Sequence, residues 1–139
     1  MAEPEPSKRI FVDSNIPMYV IGEVHPNKVA AQRLISEAAL ARHSLVTDAE
    51  VLQEIMHRYA SIRRRDAIDP AFALLLGISD EVLPVERIDA ERARRLLVTT
   101  GSISARDAIH VAIMQRHGIN EIMSFDRGFD HIAGLRRVS

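Results

Sequence analysis

Cysteine is absent from the 139 residues of this sequence. Its absence excludes disulfide bonds, thiolate zinc sites and thiol nucleophiles, and it fits the reducing conditions of a cytoplasm. Long hydrophobic segments are absent too, because the longest apolar run, at residues 71–76, is far too short to cross a bilayer. No apolar segment follows the acidic, proline-containing residues 1–9, which argues against a secretory signal. We therefore expect a cytoplasmic protein with no membrane contact.

Lysine and aromatic residues are scarce. Lys8 and Lys28 are the only lysines, so arginine supplies nearly all of the positive charge. The planar guanidinium of arginine suits bidentate hydrogen bonds to phosphate. The aromatic fraction is 4%, and we expect most of these side chains in the core, so no aromatic platform for stacking nucleobases is predicted. The net charge of −1 neither favours nor excludes a nucleic-acid partner.

What remains is the composition of a soluble globular domain, with 47% hydrophobic and 27% charged residues. We expect a disordered tail at residues 1–8 and a single domain over residues 9–139. Short apolar segments alternate with amphipathic ones. Strands are predicted at residues 10–12, 44–46, 82–85, 119–124 and 135–138, and helices at 17–21, 28–41, 48–65, 70–76, 89–97 and 104–117. This alternation predicts an α/β fold, with a parallel sheet covered by helices on both faces.

Three features suggest where helices end. Gly77 is expected to stop the helix that opens near Pro70, and Gly118 is expected to cap its helix in the left-handed conformation. The arginines at residues 63–65 would place positive charge at the negative end of a helix dipole. Pro84 confines its strand to an edge of the sheet.

Three aspartates are expected at one rim of the sheet. Asp13 ends the first strand, Asp126 follows a late strand, and Asp107 lies in the first turn of a helix. In an open parallel sheet, ligands bind beyond the carboxyl ends of the strands. Like charges gathered there repel one another, so a bound cation is the economical explanation. The alternatives are structural: Asp13 could cap a helix, Asp107 could form a capping box with Ser104, and Asp126 could make an Asx turn.

A fourth acid comes from the helix predicted over residues 48–65. Thr47 and Glu50 have the spacing of a capping box, which would give Glu50 a structural role. Glu54 lies one turn later on the same face. The residues alone leave the choice between Glu50 and Glu54 open.

Carboxylate oxygens without cysteine ligands suit Mg²⁺ or Mn²⁺. His110 is three residues after Asp107, and His57 is three residues after Glu54. Because His110 lies in an otherwise apolar stretch, we interpret it as packing or hydrogen-bonding beside the site, and His57 in the same way.

Four motifs lie at residues 11–15, 51–55, 105–112 and 122–130, followed by Gly134 and Leu135 near the end of the sequence. These motifs resemble those of the PIN-domain family, and their order and spacing look most like the VapC-type toxins of bacterial and archaeal toxin–antitoxin pairs. The resemblance runs from Arg9 to the C-terminus. It favours Glu54 over Glu50, and Asp130 is a second aspartate that could share the role of Asp126. The tail before Arg9 is a departure from the family pattern.

The resemblance implies a three-layer α/β/α sandwich with a central parallel sheet. It also implies a metal-dependent endoribonuclease that hydrolyses RNA phosphodiester bonds, with one or two Mg²⁺ or Mn²⁺ ions held by four acids. Further implications are a homodimer and a cognate VapB-type antitoxin whose tail fills the active groove. In this sequence the catalytic and metal-binding acids would be Asp13, Glu54, Asp107 and Asp126, with Asn15 and Ser124 as donors that hold the carboxylates and Arg106 and Arg127 as contacts to RNA.

Other classes of function remain as alternatives. A phosphatase with Asp13 as covalent nucleophile would normally have a second acid two residues later, where this sequence has Asn15. A receiver-like signalling domain would need an acidic pair and a lysine after a late strand, and neither lysine is placed there. A module that only binds RNA or an antitoxin would not need to gather four acids.

Overall fold

The computed structural model describes residues 7–139. Six of the eight residues of the predicted tail, 1–6, lie outside the described residues. At Lys8 the chain is already attached to the domain, because the backbone N–H of Ser44 donates to the Lys8 carbonyl at 2.8 Å. Within residues 7–139, no helix has the length and apolar character needed to cross a membrane.

Five parallel strands form the sheet. They are β1 (Arg9–Val12), β2 (Ser44–Asp48), β3 (Glu81–Leu83), β4 (Glu121–Met123) and β5 (Arg136–Val138), in the spatial order β3-β2-β1-β4-β5. Strand β1 is central, and its Phe11 pairs with Val46 on one side and with Ile122 on the other. The predicted edge position next to Pro84 is confirmed, since β3 is the outer strand and ends one residue before it.

Helices cover both faces of this sheet. They are α1 (Asn15–Ile21), α2 (Pro26–Leu40), α3 (Ala49–Ser61), α4 (Ile68–Ile78), α5 (Arg87–Thr99) and α6 (Ala105–Arg116), with two short 3-10 helices at Arg65–Ala67 and Arg127–His131. Successive side chains of a strand point to opposite faces, and Ile10, Phe11 and Val12 are all buried. The predicted three-layer α/β/α sandwich is therefore confirmed.

The helix predicted over residues 48–65 is shorter than expected. It ends at Ser61, and the chain turns at Arg63, whose φ of 58° is in the left-handed region. Arg64 then pairs with Asp66 at 3.1 Å. The three arginines thus lie beyond the helix, and the prediction that they sit on its dipole is wrong. Arg58 is the basic residue of the last turn.

The two glycines behave differently from each other. Gly118 follows α6 with a φ of 69°, so its predicted role as a left-handed cap is confirmed. Gly77 lies inside α4, which continues to Ile78, so the prediction that Gly77 stops the helix is wrong. The apolar side chains of α4 that pack on the core, such as Leu75, hold this last turn in place regardless of the local preference of glycine.

These two positions give a matched pair of substitutions. Gly77→Ala should raise the free energy of unfolding by about 0.5 kcal/mol, because alanine restricts the unfolded chain and favours a helix, and an added Cβ there meets no atom within 4 Å. Gly118→Ala should lower it by about 1 kcal/mol, because the left-handed conformation is strained for alanine. Urea denaturation of both variants measures this, and a loss of stability in Gly77→Ala would contradict the assignment of Gly77 to the helix.

Candidate active site

A cleft of about 610 Å³ opens beyond the carboxyl ends of β1 and β4. All four predicted acids line it: Asp13, Glu54, Asp107 and Asp126. They come from the loop after β1, from α3, from the first turn of α6 and from the loop after β4. The structure therefore brings together groups that are far apart in the sequence.

Asp13 is the most enclosed of these acids, with 3% of its surface exposed. Its Oδ1 accepts a hydrogen bond from the backbone N–H of Ser14 at 2.8 Å, and its Oδ2 accepts from the Ser124 hydroxyl at 2.7 Å and from the Asn15 amide at 3.3 Å. Burial raises the pKa of Asp13 above its ordinary value, although the charge of His110 and the hydrogen bonds from Ser124 and Ser14 act in the opposite direction. Asn15 and Ser124 thus hold the carboxylate in one orientation.

The pKa of Asp107 reflects the proximity of the other acids. Burial raises its pKa to about 6, and the charges of Asp13, Asp126 and Glu54 contribute in the same direction. The cap of α6 is formed by the Ser104 hydroxyl, which accepts from the backbone N–H of Asp107 at 3.1 Å. Among the described residues, no hydrogen bond uses the carboxylate of Asp107, so the reciprocal half of the capping box is missing and the carboxylate is available to the cleft.

Asp126 accepts a hydrogen bond within its own loop and also lines the cleft. Its Oδ1 accepts from the backbone N–H of Gly128 at 2.8 Å, so the Asx-turn alternative describes part of its role. The backbone N–H of Asp126 donates to the Ser124 hydroxyl at 3.0 Å, which ties Asp126 to the same serine that holds Asp13.

The structure separates the two glutamates of α3. Glu54 lines the cleft and Glu50 is not among its lining residues. The predicted capping box over residues 47–50 is wrong, because the cap is Asp48, which accepts from the Val51 N–H at 2.8 Å. The Thr47 hydroxyl instead donates to the Val12 carbonyl at 3.0 Å.

A fully buried histidine joins Glu54 to Asp48. His110 Nδ1 lies 2.7 Å from Asp48 Oδ2, and His110 Nε2 lies 3.4 Å from Glu54 Oε2. Burial alone would lower the pKa of His110, but the bonds to both carboxylates raise it well above its ordinary value. Burial acts to raise the pKa of Glu54, yet the bond and charge of His110 outweigh it and the pKa is lowered.

The predicted hydrogen-bonding role of His110 agrees with these contacts, whereas His57 is exposed on the surface. Sequence reasoning missed Asp48. The available signal was its position at the carboxyl end of β2, the same kind of place that drew attention to Asp13.

Other predicted residues fall outside the cleft. Asp130 pairs with Arg137 at 2.8 Å and is not among the lining residues, so it does not share the position of Asp126. Arg106 lines the cleft, while Arg127 does not. Arg58, which sequence reasoning missed, lines it as well and lies one helical turn after Glu54.

The apolar part of the cleft lining was also missed. It consists of Met18, Tyr19, Tyr59 and Ile62. The expectation that most aromatic side chains lie in the core is confirmed for Tyr59, which is 7% exposed, although Tyr59 and the partly buried Tyr19 also line the cleft. The sequence predicts that Tyr19 and Tyr59 lie on helices, but which faces of those helices meet depends on the tertiary fold.

Part of the donor set is compact enough for a divalent cation, while Asp107 and Asp126 line the cleft outside the compact group. Ligand atoms of Asp13, Glu54 and His110 lie within 4.8 Å of one another. Both ring nitrogens of His110 already face carboxylates, so the oxygen atoms of the acids are the ligands that remain. Oxygen donors without thiolate suit a hard cation.

Comparison with known proteins gives a consistent result. Residues 10–135 match the family model of the PIN domain. The chain is 56% identical over 130 residues to the ribonuclease VapC13 of Mycobacterium tuberculosis, covering 94% of this chain and 99% of that protein. It is 36% identical over 117 residues to the ribonuclease VapC23 of the same species, covering 84% and 92%.

Solved structures share the fold. VapC20 of Mycobacterium tuberculosis, described as a sarcin–ricin loop cleaving toxin, superposes with a TM-score of 0.73 at 24% identity, covering 91% of this chain and 98% of that one. VapBC2 from Rickettsia felis, bound to a DNA fragment from its promoter, gives a TM-score of 0.69 at 11% identity, covering 94% and 97%. On the family model and the sequence identities, the chain belongs to the PIN-domain family and, within it, to the VapC-type ribonucleases.

Proposed function

We propose that this chain is a Mg²⁺-dependent endoribonuclease, with Mn²⁺ as an alternative ion, and that it acts as the toxin of a toxin–antitoxin pair. The observation that supports the proposal is the convergence of Asp13, Glu54, Asp107 and Asp126 on one cleft, close enough for their charges to raise the pKa of Asp107. Repulsion among carboxylates destabilises a folded protein, whereas a cation site requires several carboxylates close together. RNA as the substrate is supported by the relatives that are named ribonucleases.

Each side chain then has a definite task. Asp13 and Asp107 would be the inner ligands of the ion, with Glu54 and Asp126 completing the site directly or through water. The bound ion would supply an activated water and neutralise charge on the phosphate. Asn15 and Ser124 hold the Asp13 carboxylate in the orientation that the ligand set needs.

Arginine would position the substrate. Arg106 stands in the cleft beside the acids and is suited to a phosphate next to the scissile one. Arg127 lies outside the cleft, so we propose for it at most a contact to RNA beyond the reacting group.

Partners and location complete the proposal. A VapB-type antitoxin is supported by solved neighbours of the fold that are toxin–antitoxin complexes, such as the one from Klebsiella pneumoniae. We also propose a homodimer, for which exposed apolar side chains such as Leu40 and Val98 offer surface. A cytoplasmic location is supported by the absence of cysteine. We also propose that residues 9–139 form the nuclease domain, to which Lys8, placed in the tail by the sequence, is bonded through the N–H of Ser44.

The alternatives are less well supported. A phosphatase with Asp13 as nucleophile would normally have a second acid two residues later, and this chain has Asn15 there, bonded to the Asp13 carboxylate. A non-catalytic module that only binds RNA or an antitoxin does not explain why four acids line one cleft.

Removing single acids should separate site residues from their neighbours. Asp107→Asn and Glu54→Gln should each reduce the rate of RNA cleavage by more than about 100-fold, because each removes a charged ligand and leaves the fold intact. Glu50→Gln and Asp130→Asn should cleave at nearly the wild-type rate, since neither side chain lines the cleft. Cleavage of labelled RNA in Mg²⁺ buffer measures all four variants, and circular dichroism checks their folding.

Undiminished Mg²⁺-dependent cleavage by Asp107→Asn would overturn the site assignment. A parallel assay with EDTA tests the reaction class: loss of cleavage supports the nuclease, whereas phosphate release from a small ester would support the phosphatase. Binding of RNA without any cleavage would support the binding module.

The raised pKa of Asp107 predicts a stability that depends on pH in the metal-free protein. Its carboxyl binds a proton more tightly in the folded state, with a pKa of about 6 against an ordinary value of 3.8, so folding loses stability as the pH rises through about 6. In EDTA at about pH 8, Asp107→Asn should therefore be more stable than the wild type by about 1 kcal/mol, a value reduced for partial exposure of the group.

The advantage should vanish near pH 4, where the wild-type carboxyl is protonated in the folded state. Added Mg²⁺ should stabilise the wild type and not the variant. Urea denaturation at both pH values measures these differences, and equal stability of the two proteins at the higher pH would contradict a crowded acid cluster.

A further inference from the structure

The lining of the cleft is chemically mixed. Besides the acids it includes Met18, Tyr19, Tyr59 and Ile62, here called the apolar wall. Arg58 also lines the cleft and adds a positive charge to it. A site for hydrolysing a phosphate alone would need no such wall.

Helical spacing places these cleft-lining side chains one turn from residues of the acid cluster. On α1, Met18 and Tyr19 follow Asn15 by three and four residues, so they share its face one turn further along. On α3, Arg58 follows Glu54 by four residues in the same way. One helical turn is about 5.4 Å, so these side chains lie close to the acids along each helix.

The ring of Tyr19 is held in place by its neighbours. The Phe125 ring packs against it edge to face with centroids 5.5 Å apart, and the exposed His25 ring lies 5.0 Å away at a tilt of 33°. A tyrosine fixed in this way loses little conformational freedom when it contacts a ligand.

We propose that this wall, defined by Met18, Tyr19, Tyr59 and Ile62, is a subsite that stacks the nucleobase next to the scissile phosphate, with Arg58 binding the adjoining phosphate. The inference rests on the proposed nuclease function and deepens it. Bases present a flat face to aromatic side chains, and arginine neutralises the backbone charge beside them. A single-stranded segment is the form of RNA that can offer an unpaired base to the wall.

The test replaces Tyr19 by residues that keep or remove the aromatic face. Tyr19→Leu retains an apolar side chain for packing and should raise the KM for cleavage of a labelled single-stranded RNA by about 10-fold, with a smaller change in kcat. Tyr19→Phe keeps the ring and should have a wild-type KM. Val29→Ala, at a side chain that is 68% exposed elsewhere on the surface, is the control for a general loss of apolar surface.

An RNA with an abasic position next to the cleaved bond supplies a second arm. The wild type should cleave it with a raised KM, and Tyr19→Leu should not discriminate between the abasic and the intact RNA. Equal KM values for wild type and Tyr19→Leu would overturn the subsite and leave the wall to another occupant, such as a protein partner. Absence of RNA cleavage by the wild type would instead overturn the proposed function.

A buried chain of contacts through His110 links Asp48, at the end of β2, to Glu54 on α3. His110 is enclosed, and its two ring nitrogens face Asp48 at 2.7 Å and Glu54 at 3.4 Å. Asp48 is itself fixed, because it caps α3 through the Val51 N–H. The chain of contacts therefore runs from a rigid helix start through one imidazole to an acid of the cleft.

We infer that Asp48 and His110 are positioning residues that fix the direction of the Glu54 carboxylate. Neither touches the substrate, so their effect passes through Glu54. Support of this kind is worth about 10-fold to 100-fold in metal affinity or activity at other metal sites.

His110→Gln and Asp48→Asn keep polar side chains of similar size and should lower kcat by about 10-fold, with little change in the KM for RNA. The affinity of the RNA-free protein for Mn²⁺, measured by calorimetry, should fall by a similar factor. Asp48→Asn keeps an oxygen that can cap α3, which separates positioning from helix capping. A lower melting temperature with unchanged Mn²⁺ affinity and kcat would show a purely structural role and overturn the inference.

Discussion

Mutual repulsion among carboxylates is the constraint on which this structure depends. Burial and neighbouring negative charge raise the pKa of Asp107, and burial raises that of Asp13. An isolated domain would gain stability by dispersing these groups. The fold instead holds them together with donors from its own backbone and from Asn15 and Ser124, and with one buried histidine. The arrangement makes sense when a divalent cation completes it.

The parallel sheet makes this gathering geometrically simple. All strands end at the same edge, so the loops after β1 and β4 meet there although more than a hundred residues separate them. The Ser124 hydroxyl bonds to both Asp13 and the backbone of Asp126 and so joins the two loops. His110 makes the equivalent connection between α6 and α3. Asp13 and Glu54 are therefore held by contacts among core elements, whereas Asp126 is exposed in the loop after β4.

The errors of prediction have physical causes. The pattern of residues 48–65 remained amphipathic beyond Ser61, but the chain leaves the helix where Arg63 adopts a positive φ and Arg64 pairs with Asp66. Gly77 is a frequent helix stop, yet packing of α4 on the core keeps it helical. Local preferences are worth less than about 1 kcal/mol per residue, and tertiary contacts override them.

The sequence by itself determined the fold class, the one-rim placement of Asp13, Asp107 and Asp126, and the support from Asn15 and Ser124, because strand ends and helix starts are local features. The tertiary structure alone separated Glu54 from Glu50 on geometry, paired Asp130 with Arg137, and joined Asp48 to His110. It also turned Tyr19 and Tyr59 toward the cleft. These outcomes depend on which faces of distant helices meet, and that is fixed by packing across the whole core rather than by any local pattern.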